Sequence, residues 1–308
     1  MSAVIFHRVA VVQGRKIFYR EAGDICAPTI LFLHGLPGSS AQYTDLILAL
    51  ADRFHLIAPD YIGFGQSEAP LTDAFNYTLE ALTVHVEGLL DTIGLTSFLL
   101  YMHDCGGPVG FRLFVRDPGR VTGFIIQNAN AYAEGVSAAC FRAFTPLWEN
   151  RTAKTERAIQ AFVNIIGAGA VPGPTLNGPR CQTQLAPAPT ALLDLLEDYR
   201  TNIAHYPDWQ AAFRTYKPPT LIIWGKHDPA FIPPGARAYL EDLPQAKLIW
   251  LNAGHAVLDQ HFGPVAAEIK AMFDAGAIKP HATVDLVRRR AACALGQNNR
   301  PCLTQHSG

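Results

Sequence analysis

Ser97-Phe98-Leu99-Leu100-Tyr101-Met102-His103-Asp104-Cys105-Gly106-Gly107-Pro108 is the stretch on which the reading of the fold turns. Its first half is a continuous apolar run, which suits a strand buried on both faces. Its second half brings paired glycines, and Val109 to Arg116 then reads as a helix. A strand that meets a helix through so tight a turn exposes one side chain at the tip, and small residues beside the tip let the two elements pack. The glycines two and three places after Asp104 put Asp104 at the tip; with Cys105 there, His103 would stand where a small neighbour is needed. Pro108 falls in the first helical turn, where its missing N–H costs little. Asp is also a good helix N-cap, so this stretch alone leaves the catalytic and the capping readings level.

Outward from this turn the pattern is strand–helix alternation. Arg8 to Val12 and Lys16 to Arg20 flank a Gln13-Gly14 turn and predict an N-terminal hairpin. Short apolar runs follow at Thr29 to Leu33, His55 to Ala58, Gly123 to Gln127, Thr220 to Trp224 and Lys247 to Leu251, with helix-like segments at Tyr43 to Leu50 and Leu79 to Ile93. That is the signature of an α/β fold with a mostly parallel sheet. Between residues 131 and 216 the alternation gives way to a helical stretch (Thr152 to Ile166), a Gly/Pro-rich passage (Gly167 to Pro189) and a second helical stretch (Ala191 to Ala204). The expected organisation is a core of residues 1–130 and 217–275, a cap inserted at 131–216 over the carboxyl edge of the sheet, and a poorly ordered extension at 276–308 that carries Arg288, Arg289 and Arg290.

The 308 residues are 49% hydrophobic and 17% charged, enough to bury a large core. A formal net charge of -1 offers no electrostatic footprint for nucleic acid or an anionic membrane. No apolar run is long enough to span a bilayer and Met1 to Ala10 is not a signal peptide, so a cytoplasmic protein acting on small molecules is expected. The six cysteines (Cys26, Cys105, Cys140, Cys181, Cys293, Cys302) are scattered, which suggests free thiols and neither a disulfide scaffold nor a metal site.

Two later strands complete a constellation. Leu221-Ile222-Ile223-Trp224-Gly225-Lys226-His227-Asp228 ends in a polar turn bearing Asp228, and the next strand leads to Asn252-Ala253-Gly254-His255. Nucleophile, acid and histidine thus follow one another in the chain, each past the carboxyl end of a strand, which is a triad order. The alternative place for the acid, after Gly123 to Gln127, holds Asn128 and Asn130, which cannot stabilise an imidazolium by charge. Asp259, His261 and His227 read as surface or capping residues. The loop His34-Gly35-Leu36-Pro37-Gly38 follows a strand, and backbone N–H groups of Leu36 and Cys105 are expected to converge on a developing oxyanion; His34 reads as a loop brace.

These residues carry a resemblance. His-Gly-x-Pro at His34 to Pro37, His-Asp-x-Gly-Gly at His103 to Gly107, Asp228 and His255 resemble the α/β-hydrolase epoxide hydrolases and dehalogenases over Ala3 to Phe273. The resemblance implies an α/β-hydrolase fold with an inserted helical cap and no cofactor. It also implies that Asp104 attacks a saturated carbon to give an alkyl ester, which water activated by His255 then hydrolyses. Ser67 and Ser137 have no elbow context, which sets esterase chemistry aside. Haloalkane dehalogenases of this type resemble a site with Trp after the nucleophile and a second N–H donor; here stand Cys105 and Leu36. Haloacid enzymes clamp a carboxylate with arginines, where this chain has Cys105 and Pro108. Epoxide opening calls for cap tyrosines, and the Tyr-Arg-x-Asn string at Tyr199 to Asn202 resembles the segment that presents one. No second tyrosine lies between Tyr132 and Tyr199; Trp148 stands near its place, with Tyr206 and His205 as substitutes. The leading expectation is opening of a small apolar epoxide to a diol with water as co-substrate. Hydrolytic dehalogenation, with Trp148 and Tyr199 as halide donors, is the alternative, and a non-catalytic ligand-binding protein of the same fold is the third.

Overall fold

A computed structural model describes residues 3–167 and 189–276. Its strands are β1 (Phe6–Val12), β2 (Arg15–Ala22), β3 (Thr29–Leu33), β4 (His55–Pro59), β5 (Phe98–His103), β6 (Val121–Gln127), β7 (Thr220–Gly225) and β8 (Lys247–Leu251). They form one eight-stranded sheet in the order β1-β2-β4-β3-β5-β6-β7-β8. The β1–β2 hairpin and its junction with β4 are antiparallel, and every later pairing is parallel. The predicted hairpin turn is present, with Gln13 and Gly14 both at positive φ, the backbone a tight two-residue turn needs.

The helices are α1 (Thr44–Leu50), α2 (Leu79–Thr92), α3 (Gly106–Arg116), α4 (Ala138–Glu149), α5 (Ala153–Gly167), α6 (Pro189–Asp198), α7 (Arg200–Tyr216), α8 (Pro233–Asp242) and α9 (Leu258–Asp274). Alternate residues of the central strands feed two apolar layers. Ile30, Phe32, Tyr101 and Ile223 meet α1 and α9, whereas Leu31, Leu33, Met102 and Trp224 meet α2, α3 and α8. Every residue of β3, β5 and β7 is buried. Each such aliphatic or aromatic side chain contributes about 1.5–3 kcal/mol over its exposed state, so the carboxyl ends of these strands form a firmly packed platform.

The segment between β6 and β7 carries α4 to α7, and its apolar residues Phe144, Leu147, Leu193 and Leu196 join the same layer as α3. Two expectations need correcting here. Helix α4 was not foreseen, because Pro146 inside it reads as a breaker; Ser137 caps it by accepting a hydrogen bond from Cys140 N–H. The stretch Ala191 to Ala204 is not one helix, since it turns at Tyr199 between α6 and α7. Residues 168–188 and the tail from Ala277, with Cys181, Cys293, Cys302 and Arg288 to Arg290, lie outside the described residues. Cys26, Cys105 and Cys140 are free thiols. Among the described residues no helix is long and apolar enough to cross a membrane.

Candidate active site

The turn after β5 is as tight as its sequence demands. Asp104 has φ +51°, a left-handed conformation rare outside glycine, and α3 starts two residues later. A Cβ on Gly106 would lie 2.1 Å from the Leu33 carbonyl oxygen, and one on Gly107 would lie 2.9 Å from the Ala129 Cβ. The small residues therefore answer to close strand–helix packing. With its backbone so held, the Asp104 side chain faces the loop after β3, where Leu36 N–H donates to Oδ2 at 2.9 Å. Cys105 N–H also donates to this carboxylate. The two N–H groups expected to form an oxyanion hole thus both serve the Asp104 carboxylate, beside the positive end of α3.

The loop itself is braced from below. His34 donates from Nδ1 to the Gly35 carbonyl at 2.9 Å, accepts at Nε2 from Tyr61 N–H at 3.2 Å, and lies over the Tyr61 ring. Asp60 takes the N–H and hydroxyl of Ser40 on Oδ1 and the N–H of Gln66 on Oδ2. His34 is therefore the brace the sequence suggested.

Asp228 and His255 converge on Asp104 from the ends of β7 and β8. His255 Nδ1–H donates to Asp228 Oδ2 at 2.7 Å, and His255 Nε2 stands 3.7 Å from Asp104 Oδ1. Asp228 Oδ1 accepts from the N–H groups of Ala230 and Phe231 at 2.8 and 3.0 Å, and Asn128 Nδ2 donates to Oδ2 at 2.7 Å. All three predicted residues are buried, at 9%, 4% and 8% relative exposure for Asp104, Asp228 and His255. Burial pushes the Asp104 carboxyl above its ordinary value, against the pull of His255 and of the two N–H donors. Burial alone would lower His255, but the charge and hydrogen bond of Asp228 and the charge of Asp104 outweigh it and lift the imidazole to about 9.

Over these groups lies a predominantly apolar cavity. Its floor is Leu36, Pro37, Asp104, Cys105 and His255; Val136, Cys140, Phe144, Trp148, Val163, Ile166, Leu196 and Tyr199 close it from the β6–β7 insertion. Phe231 fills the remaining wall with its ring between those of Tyr199 and His255. Among the described residues no Lys or Arg lines the cavity. Burial pushes the Cys105 thiol far up, beside the Asp104 charge and hydrogen-bonded to it, and Cys140 up to about 12. Both are protonated thiols at neutral pH, and neither is a poised nucleophile.

Tyr199 and Trp148 fare differently. The Tyr199 hydroxyl is buried and makes no hydrogen bond of good geometry among the described residues; the Tyr206 hydroxyl is its polar neighbour, close enough for a weak hydrogen bond, and the charges of Cys105 and Asp104 are within reach. Tyr199 is fixed by its flanks. Asp198 Oδ2 accepts from Leu79 N–H at 2.8 Å at the start of α2, and Arg112 of α3 donates to Asn202 Oδ1 at 2.8 Å and Thr201 Oγ1 at 3.2 Å. Trp148 also lines the cavity, but its Nε1–H donates to the Leu196 carbonyl at 3.1 Å. The expectation that Trp148 offers an N–H to a leaving group is corrected on that ground: the ring is wall, and the donor is already engaged. Of its two suggested substitutes, Tyr206 is buried behind Tyr199 and takes a hydrogen bond from Asn130 Nδ2 at 3.3 Å, while His205 is exposed on α7. Asp259, His261 and His227 stay outside the cluster; the last two bond to Asn252.

Asn128 is the residue sequence reasoning passed over. Set aside as unable to replace the acid, it instead orients it, with Oδ1 taking Gly225 N–H at 2.9 Å while Nδ2 holds Asp228. Its positive φ, which Asn tolerates, turns it toward β7. The available signal was its place at the end of the strand between those of Asp104 and Asp228.

Comparison with known proteins shows the family. The profile of the family described as alpha/beta hydrolase fold matches residues 28–262. The chain belongs to the α/β-hydrolase family. Among its relatives, the "Uncharacterized hydrolase YNR064C" of Saccharomyces cerevisiae is 36% identical over 89% of this chain and 99% of that one. "Haloalkane dehalogenase 2" of Mycobacterium tuberculosis is 29% identical over 84% of this chain and 91% of that one. Of solved structures, the haloalkane dehalogenase DbeA from Bradyrhizobium elkani superposes with a TM-score of 0.73 at 24% identity, over 89% of this chain and 98% of that one. This α/β-hydrolase is thus a hydrolase by family, close to haloalkane dehalogenases, with a small-molecule substrate and water as reactants.

Proposed function

We propose that this hydrolase opens an apolar epoxide to a diol through an ester on Asp104, with residues 131–216 acting as a cap. Asp104 Oδ2 is held by the Leu36 N–H, with the Cys105 N–H also on this carboxylate, which leaves Oδ1 to attack the epoxide carbon. As that C–O bond breaks, the departing oxygen takes the Tyr199 proton. Burial holds Tyr199 well above the ordinary phenol value, so it keeps its proton in the free enzyme and yields it only to a stronger base, the alkoxide. Water then attacks the ester carbon and gives a proton to His255, while the negative charge forms on Oδ2 in the hole. Collapse expels the original Oδ1 with the diol, protonated by His255. The second proton of the water, left on the regenerated carboxyl, restores Tyr199.

The observation that carries the choice of leaving group is the Tyr199 hydroxyl, buried at the cavity with the Tyr206 hydroxyl as its polar neighbour and no hydrogen bond of good geometry among the described residues, set against the engaged Trp148 N–H. An alkoxide needs one proton donor, and one is present. A halide takes no proton and depends on donors free to point at it, and among the described residues that line the cavity the one indole N–H, that of Trp148, is engaged. Hydrolytic dehalogenation by the same ester is the second reading, favoured by the likeness to "Haloalkane dehalogenase 2".

His255→Gln incubated with matched panels of terminal epoxides and 1-haloalkanes, followed by peptide mass spectrometry, tests both. The expected result is a stable adduct on the Asp104 peptide equal to the whole epoxide mass. An adduct of alkyl mass from haloalkanes alone transfers the assignment to the second reading. Labelling of Cys105, or of nothing, counts against both.

A further inference from the structure

His103, the last residue of β5, is not part of the triad, and its ring is nevertheless tied to the histidine that is. Its Nε2 lies 3.1 Å from the His255 carbonyl oxygen, which accepts only, so the proton is on Nε2. Its Nδ1 is 3.3 Å from Gln42 Nε2, in the turn after the oxyanion loop, and there it accepts. Both contacts fit one neutral tautomer. The ring is buried and 4.8 Å from that of His255, and burial, with the neighbouring His255 charge, keeps it well below the ordinary histidine value. A third loop is also touched, since a Cβ on Gly35 would lie 3.1 Å from His103 Nδ1.

The His255 carbonyl has one other partner, Val257 N–H at 3.2 Å, within its own loop. The His103 bond is therefore the one that ties the main chain of the base to the β5 strand carrying Asp104, and it works at the distance that must admit a water between Nε2 and the ester carbon.

We infer that His103 is a positioning residue for ester hydrolysis: as a neutral Nε2–H donor relayed from Gln42, it sets the height of His255 over Asp104, and it has no part in ester formation. This rests on the Asp104-ester reading. A glutamine at 103 keeps an N–H donor near the Nε2 position, whereas leucine removes it. Gln42→Leu removes the donor to Nδ1 from the opposite side, frees the ring to change tautomer, and leaves every residue of the cavity in place.

The test is a rapid-quench experiment with excess styrene oxide, in which ester on the Asp104 peptide is followed by mass spectrometry. For His103→Leu and Gln42→Leu, ester breakdown is expected to fall by about tenfold, the worth of one intramolecular hydrogen bond, with ester formation within about twofold of the parent. The ester accumulates as a result, and His103→Gln restores breakdown. Should His103→Leu not fold, Gln42→Leu carries the measurement. Formation and breakdown slowed in parallel, or breakdown unchanged in both leucine variants, overturns the role of His103 alone. A His255→Gln control that forms no Asp104 ester overturns the chemistry beneath it as well.

Discussion

Asp104, Asp228 and His255 stand one, three and four residues beyond parallel strands, whereas Trp148 stands on α4 and Tyr199 at the turn between α6 and α7, both in the β6–β7 insertion. The first group is aimed by backbone. Asp104 is turned by its positive φ and held by N–H groups, and Asp228 is held by the N–H groups of Ala230 and Phe231. The second group is aimed by side chains, through Arg112 with Asn202, Asp198 with the start of α2, and aromatic packing of Phe144 on Tyr199. Backbone-aimed groups have their geometry fixed by the sheet, while groups aimed by packing inherit theirs from residues far away in the chain. The two halves should therefore fail differently when altered.

The largest break is expected in the backbone-aimed half. Asp228→Asn keeps the shape of the side chain but removes the charge that stabilises the His255 imidazolium and the acceptor that fixes its tautomer. Ester breakdown should fall on the order of 10⁴-fold, with the ester accumulating on Asp104. Stopped-flow and quench measurements of the two half-reactions check this; equal loss in ester formation would mean that Asp228 serves the elbow and not the histidine.

Tyr199→Phe is the matching change in the cap. Removing a general acid costs about 10²-fold or more, and here the loss falls on ester formation, because that is when the alkoxide appears. Burial of the ring is unchanged and the lost hydroxyl makes no strong hydrogen bond among the described residues, so thermal stability should stay close to the parent's. An unchanged rate of epoxide consumption would remove Tyr199 from the chemistry.

The same division explains what the sequence disclosed. Strand ends are written locally: five or six apolar residues, then glycines or a polar turn, and Asp104, Leu36, Asp228 and His255 could each be read from their immediate neighbours. The mostly parallel sheet follows from the same short patterns, and the α/β-hydrolase fold from the family resemblance that their motifs carry. The insertion is not written that way. Helix α4 hides behind Pro146, the break at Tyr199 depends on the Asp198 and Arg112 contacts, and the loss of Trp148 as a donor depends on a carbonyl 48 residues away. Asn128 was legible in position but not in role, since its value lies in contacts with β7 that only the sheet order creates.

A smaller effect separates the halves by pH. His255 is held at about 9 by Asp228 and Asp104 against the cost of burial, so the free enzyme carries an imidazolium at neutral pH. Esterification removes the Asp104 charge and with it one of the supports. The histidine must then titrate lower in the ester than in the free enzyme, releasing the base when water needs it. Ester breakdown is expected to rise about tenfold per pH unit and level off below pH 9. Asp104→Asn mimics that loss of charge without substrate, and NMR titration of His255 in it should give a lower value than in the parent. An unchanged or higher value would mean that the 3.7 Å approach of the two side chains has no electrostatic weight.

The smallest expected effect is also the sharpest on leaving-group chemistry. Trp148→Phe keeps an aromatic wall against Phe144 and leaves the Leu196 carbonyl without its donor. An orphaned buried carbonyl costs about 1–3 kcal/mol, so the melting temperature should drop by several degrees while epoxide turnover stays within about twofold. If the indole N–H served a halide instead, the penalty would move from stability to rate, since Leu196 would have lost nothing and the departing ion would have lost a donor. Measuring both quantities on one variant, with an epoxide and a haloalkane of equal chain length, assigns the N–H to the cap backbone or to the substrate.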